Sequence, residues 1–141
     1  MLTVFIVDDS EVMRKRLTES VADIAGVEIV GQCGDPFEAL DTIIKAHPDV
    51  VILDIRLPGR SGIDVLKDIK KEFPAPIVIM ITNYPYRQYR QGCMAAGADY
   101  FFSKINEFDM IRETLNRIRR DDQNKIHRPG TIKKTNTYHR S

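Results

Sequence analysis

Five short apolar runs, rich in β-branched residues, recur along the chain, and a longer amphipathic stretch follows each. They occupy residues 3–7, 27–30, 50–53, 77–81 and 100–102. The first, third and fourth lack the polar alternation of a half-exposed strand. They therefore predict strands covered on both faces, as in a parallel sheet. The sequence Val27-Glu28-Ile29 alternates and predicts an edge strand.

The stretches between the runs carry helical periodicity and start signals. Ser10 is placed to cap a first helix with Met13, Leu17, Val21 and Ile24 on one face. Asp35-Pro36 is a cap followed by a first-turn proline, with Phe37, Leu40 and Ile44 at helical spacing. Ser61 or Gly62 opens a third helix bearing Ile63, Leu66, Ile69 and Phe73, which Pro74 and Pro76 end. Pro85 opens a fourth with Tyr86, Tyr89, Cys93 and Ala96. Asn106 caps a fifth with Phe108, Ile111, Leu115 and Ile118. Five strand-then-helix units predict an open, doubly wound α/β fold with a parallel sheet.

The periodicity stops after Arg120, which predicts one domain over residues 1–120 and a flexible basic tail over 121–141. The chain of 141 residues carries a formal charge of +1, yet the tail has five Lys or Arg against two Asp. The body is thus mildly acidic, which argues against a nucleic-acid-binding body. A DNA-binding helix-turn-helix domain needs more chain than the tail offers. With 43% hydrophobic residues the chain can bury a core, and no apolar run approaches the ~20 residues of a membrane span. The start lacks the pattern of a secretory signal, so a cytoplasmic protein is expected. Cys33 and Cys93 are expected to be reduced, and the three histidines lack metal-ligand spacing.

Ligands of such sheets bind beyond the carboxyl ends of the strands, where the strand order reverses. The strand ends carry Asp8-Asp9, Asp54, Thr82 and Lys104. Singly, each is commonplace: an Asp pair starts helices, a threonine suits a strand, and a lysine is usually solvated. Jointly they suit a hard cation beside a transferable phosphate. Clustered carboxylates repel unless a cation sits among them, and Mg²⁺ takes one or two of them plus phosphate oxygens. A remaining carboxylate is a competent nucleophile. A threonine hydroxyl and a lysine ammonium can stabilise phosphoryl oxygens.

Val7-Asp8-Asp9-Ser10, Leu53-Asp54-Ile55-Arg56-Leu57-Pro58-Gly59, Ile81-Thr82 and the run from Gly97 to Lys104 resemble the receiver domains of two-component response regulators. The resemblance covers about residues 2–120. It implies a CheY-like, flavodoxin-like sheet of order 2-1-3-4-5 with five flanking helices. It implies Asp54 as the phosphoacceptor, served by a sensor histidine kinase or a histidine phosphotransfer protein. Mg²⁺ or Mn²⁺ would be ligated by Asp9, Asp54 and the main-chain carbonyl of Arg56, with Asp8 acting mainly through water. Thr82 and Lys104 would bind the phosphoryl group, and Phe101 would be the switch aromatic. A downstream protein, or a second copy in a phosphorylation-dependent dimer, would dock on helix four, strand five and helix five. Without an output domain, the chain would signal by docking or by phosphorelay.

Two positions depart from the family pattern. Ile105 stands where proline usually follows the lysine, and a cis bond there would cost about 2.5–4 kcal/mol, leaving a trans or a strained peptide. Asn83 replaces a small residue after Thr82. Arg56, Asn83 and Tyr84 border the site and are expected to modulate phosphoryl lifetime. Two other functions compete: a receiver that binds proteins without being phosphorylated, and a Mg²⁺-dependent phosphatase with an aspartate nucleophile. The phosphatase expects Asp-x-Asp after the first strand, whereas Asp8 is followed two positions later by Ser10. No G-x-G-x-x-G supports a dinucleotide site.

Overall fold

A computed structural model describes residues 1–126 of the chain. The elements alternate strictly: β1 (Leu2–Val7), α1 (Glu11–Ala22), β2 (Val27–Cys33), α2 (Pro36–Ala46), β3 (Val50–Asp54), α3 (Gly62–Ile69), β4 (Ile77–Thr82), α4 (Arg87–Ala95), β5 (Tyr100–Ser103) and α5 (Phe108–Ile126). All strand pairs are parallel, in the order β2-β1-β3-β4-β5. β2 lies at an edge, as its alternating sequence predicts.

The period-two geometry of the strands divides the apolar residues between two cores. Phe5, Val7, Val51, Leu53, Val78, Met80 and Phe101 face α2, α3 and α4, which contribute Ala39, Ile43, Val65, Leu66, Ile69 and Cys93. Val4, Ile6, Val50, Ile52, Ile79, Ile81 and Phe102 face α1 and α5, which contribute Leu17, Val21, Ile111, Leu115 and Ile118. The central strands are apolar on both sides because both sides are covered. The chain leaves β1 for β2 on one side and returns to β3 on the other, so the crevice at the reversal opens beyond the ends of β1 and β3.

The caps at Ser10, Asp35 and Ser61 form as predicted, accepting from the amides of Met13, Phe37 and Ile63. Other helix expectations need correction. α5 continues to Ile126, six residues past the expected boundary at Arg120; the rest of the expected tail, 127–141, lies outside the described residues. Asn106 is not the cap of α5. It sits in a turn whose amides are taken by Ser103 Oγ, and the helix begins at Phe108. α4 begins at Arg87 rather than Pro85, with Tyr86 as a cap residue that makes no side-chain cap bond. α3 ends at Ile69, so Phe73 lies beyond it and is 81% exposed. Phe37 does not face the core either; it is 65% exposed.

Candidate functional site

β1, β3, β4 and β5 end at one rim, and each delivers a polar group there. Asp8 and Asp9 follow β1, Asp54 ends β3, Thr82 ends β4, and Lys104 follows β5. Asp8 and Thr82 are fully buried, while Asp54 and Lys104 are only 4% and 5% exposed. Asp9 faces solvent. One carboxylate oxygen from each of Asp8, Asp9 and Asp54 lies within 4.8 Å of the others. The Lys104 ammonium bridges two of them, 2.6 Å from Asp8 Oδ2 and 3.0 Å from Asp54 Oδ2.

Local backbone geometry aims these groups. The Ser10 amide donates to Asp8 Oδ1 at 2.9 Å, and the Arg56 amide donates to Asp54 Oδ1 at 3.3 Å. The Tyr84 amide donates to Thr82 Oγ1 at 2.9 Å, which holds the hydroxyl at the strand end. The Lys104 amide donates to the Thr82 carbonyl at 2.8 Å, so β5 stays in register with β4 up to the lysine. The Lys104–Ile105 peptide is trans, since Phe73-Pro74 is the cis bond among the described residues. Lys104 therefore reaches the rim without the family's usual proline.

Gly62 makes the tight exit from β3 possible. A Cβ at this position would stand 2.0 Å from the Asp54 carbonyl oxygen, and the Gly62 amide donates to the Ile55 carbonyl at 2.7 Å. Only a residue without a side chain can start α3 against the end of β3. Gly59, with φ at +79°, supplies the left-handed step in the same loop, and the Phe37 ring lies beside it.

The electrostatics are unbalanced. Three carboxylates face one ammonium. Burial, chiefly, pushes the Asp54 carboxyl from 3.8 up to about 6; the Lys104 charge opposes this and the Asp8 charge adds to it. Burial alone would lower the Lys104 ammonium, but Asp8 and Asp54 outweigh it and hold Lys104 above its ordinary value. Asp8 Oδ2 is buried, and the Lys104 ammonium 2.6 Å away is its ionic partner. An excess of clustered carboxylate charge over the Lys104 ammonium is the environment a divalent cation relieves, so the donor set fits Mg²⁺ or Mn²⁺.

The remaining expected residues surround this centre. Arg56 stacks its guanidinium 4.6 Å from the centroid of the Tyr84 ring, which ties the loop after Asp54 to the loop after Thr82. Asn83 is exposed beside them. Phe101 is buried under the Arg90 guanidinium, which lies 4.8 Å from its ring centroid. Arg14 was not among the expected site residues. Its Nη1 donates to the Asp8 carbonyl at 2.6 Å, fixing the backbone that carries the acidic pair. Its place on α1 follows the ordinary polar face of an amphipathic helix, so no sequence signal singles it out.

The family model described as Response regulator receiver domain matches residues 4–116. The chain belongs to this family. The receiver domain is similar to the response regulator domain of Thermotoga maritima CheB, with a TM-score of 0.75 and 29% identity over 88% of this chain and 97% of that one. It is also similar to a chain in the CheX-CheY-BeF3-Mg²⁺ complex of Borrelia burgdorferi, with a TM-score of 0.74 and 28% identity over 83% of this chain and 89% of that one. Among curated proteins, it is 35% identical over 104 residues to a protein-glutamate methylesterase/protein-glutamine glutaminase of Syntrophotalea carbinolica. That match spans 73% of this chain but 30% of the relative, so the receiver domain corresponds to about a third of that protein's length. As a CheY-like receiver domain, the protein is a component of two-component signalling. Among the described residues, no helix is long and apolar enough to cross a membrane.

Proposed function

We propose that this receiver domain is a phosphoryl-accepting switch with Asp54 as its acceptor. The observation that carries the reading is the Lys104 ammonium held between Asp8 and Asp54, beside a third carboxylate, at the sheet's reversal point. Asp54 is buried enough to be desolvated, yet it stands at the end of β3, where the strand order reverses.

The phosphoryl donor is the phosphohistidine of a sensor kinase or of a phosphotransfer protein. An Asp54 carboxylate oxygen attacks phosphorus, a P–O bond forms, and the P–N bond breaks with its electron pair remaining on the imidazole. Asp9, Asp54 and the Arg56 main-chain carbonyl would hold Mg²⁺ or Mn²⁺, with Asp8 contributing mainly through water. The chemistry a bound cation supplies here is neutralisation of the crowded negative charge. Lys104 balances charge on a phosphoryl oxygen, and Thr82 donates its hydroxyl to another.

Phosphorylation offers Thr82 and Lys104 phosphoryl oxygens in addition to the Tyr84 amide and the two carboxylates they already meet, and this differential contact biases two states. Thr82 Oγ1 accepts from the Tyr84 amide, so donation of its hydroxyl hydrogen to a phosphoryl oxygen would carry the loop before α4 with it toward the site. Phe101 reports the change by repacking beneath Arg90. A downstream protein, or a second copy of the domain, reads the surface formed by α4, β5 and α5. The proposed setting is the cytoplasm, where sensor kinases present phosphohistidine.

Incubation with Mg²⁺ and acetyl phosphate tests the reading through intact mass. One added phosphoryl group that disappears in Asp54→Asn supports it. Absence of any mass gain in folded, Mg²⁺-binding protein favours a receiver that binds partners without being phosphorylated.

A further inference from the structure

The lysine that reaches the site lies one residue before Ile105, a position without proline's fixed backbone. Something else must hold the turn, and a compact set of hydrogen bonds does so. Ser103 Oγ accepts from the Ile105 amide at 3.2 Å and from the Asn106 amide at 3.3 Å, a serine turn that closes the chain directly after the lysine. The Ser103 amide donates to Glu107 Oε1 at 3.0 Å, and the Glu107 amide donates back to the Ser103 carbonyl at 3.1 Å.

The location makes the arrangement specific. β5 is an edge strand, so one side of Ser103 has no neighbouring strand to pair with. Glu107 occupies that side with its side chain and its amide. On the other side β4 is engaged through the Lys104 amide and the Thr82 carbonyl at 2.8 Å. The backbone on either side of the lysine Cα is thereby held from both directions. Ser103 itself is buried at 2% exposure, and its bonds to Ile105, Asn106 and Glu107 are part-buried. Ile105, 71% exposed, contributes its amide to the turn rather than core packing.

We propose that Ser103 and Glu107 are positioning residues that aim the Lys104 ammonium at the phosphoryl group on Asp54. The inference rests on the phosphoacceptor reading above. Lys104 is a flexible four-carbon lever, and its head must meet a phosphoryl oxygen within hydrogen-bond distance. A small rotation at its Cα moves the ammonium by more than that tolerance. The carboxylates that would hold the cation lie just after β1 and at the end of β3, outside this turn. Loosening the turn therefore weakens phosphoryl binding while leaving the cation's own ligands in place.

The test separates the two steps by calorimetry on the full chain. Mg²⁺ is titrated alone, and beryllofluoride, a phosphoryl mimic, is then titrated at saturating Mg²⁺. Wild type is compared with Ser103→Ala, Glu107→Ala and Glu107→Gln, each checked for a cooperative melt. Gln keeps an oxygen that can accept the Ser103 amide. The expected result is Mg²⁺ affinity within about twofold of wild type throughout. Beryllofluoride affinity falls about fivefold or more in Ser103→Ala and Glu107→Ala, and Glu107→Gln restores most of it. Unchanged beryllofluoride affinity in both alanine variants would overturn the inference, as would equal losses for Mg²⁺ and beryllofluoride. Failure of wild type to bind beryllofluoride would instead sink the phosphoacceptor reading and the inference with it.

Discussion

The Lys104 ammonium lies 3.0 Å from Asp54 Oδ2, although 50 positions separate the two residues in sequence. Both side chains are almost wholly withdrawn from water. The pair is a strained compromise: Lys104 is the positive charge among three carboxylates, and Asp54 still sits at about 6 rather than 3.8.

Removing that positive charge should therefore expose the imbalance. Lys104→Met leaves Asp8 and Asp54 buried without their cation and should lower metal-free stability by about 3 kcal/mol. Saturating Mg²⁺ should recover most of the loss, because a divalent ion can replace the ammonium's balancing role. Urea denaturation with and without Mg²⁺ checks this, and a loss that Mg²⁺ leaves untouched would contradict it.

The raised carboxyl sets a pH dependence with a definite sign. Folded protein binds a proton at Asp54 more tightly than unfolded chain does, since the group moves from 3.8 up to about 6. The resulting stability is complete below 3.8 and is lost as pH rises through about 6. Relative to Asp54→Asn, which does not titrate, metal-free wild type should lose stability across this window, by about 3 kcal/mol at most. Thermal melts at several pH values measure the difference. A flat difference would show that Asp54 is not desolvated in the folded protein.

Backbone crowding at the start of α3 predicts an intolerant position. A methyl group at Gly62 would lie 2.0 Å from the Asp54 carbonyl oxygen, and backbone cannot yield as a flexible side chain can. Gly62→Ala should cost about 3 kcal/mol or more and weaken Mg²⁺ binding by displacing Asp54. Chemical denaturation and Mg²⁺ titration would reveal it. Wild-type values for both would refute the close approach.

Arg56 and Tyr84 link the loop after Asp54 to the loop after Thr82, the two strand ends proposed to meet the phosphoryl group. Breaking the stack should admit water to the acyl phosphate and shorten its lifetime about threefold, the scale of an exposed cation–π contact. Arg56→Ala and Tyr84→Ala should act alike, and the double variant should add little to either. Independent, additive effects on dephosphorylation would show that the stack does not act as one unit.

The sheet was legible because its central strands are apolar on both faces, a pattern that helices covering one face do not produce. The meeting of polar groups at one rim was legible for the same reason: a strand that runs into a polar residue places that residue on the rim. Asp54 and Thr82 end their strands, and Asp8 and Lys104 directly follow theirs. Helix details were less readable. Phe37 and Phe73 fit the apolar spacing of their helices, yet Phe37 is exposed beside Gly59 and Phe73 falls in the turn after α3. Asn106 looked like the cap of α5 because asparagine favours that role, but the Ser103 hydroxyl claims the amides of the turn first. α5 outlasts its apolar stripe, since a helix already docked through Ile111, Leu115 and Ile118 can continue over polar residues. Arg14 and Glu107 act on backbone atoms, and such contacts leave no pattern in side-chain periodicity.

Chemical trapping of the acyl phosphate is the most direct test. The protein is treated with Mg²⁺ and acetyl phosphate, reduced with borohydride, and mapped by peptide mass spectrometry. Borohydride converts a phosphorylated aspartate to homoserine and leaves free carboxylates unchanged. Homoserine at position 54, dependent on Mg²⁺ and absent without acetyl phosphate, is the predicted result. Homoserine at Asp8 or Asp9 with none at 54, or none anywhere in folded protein, would contradict the account.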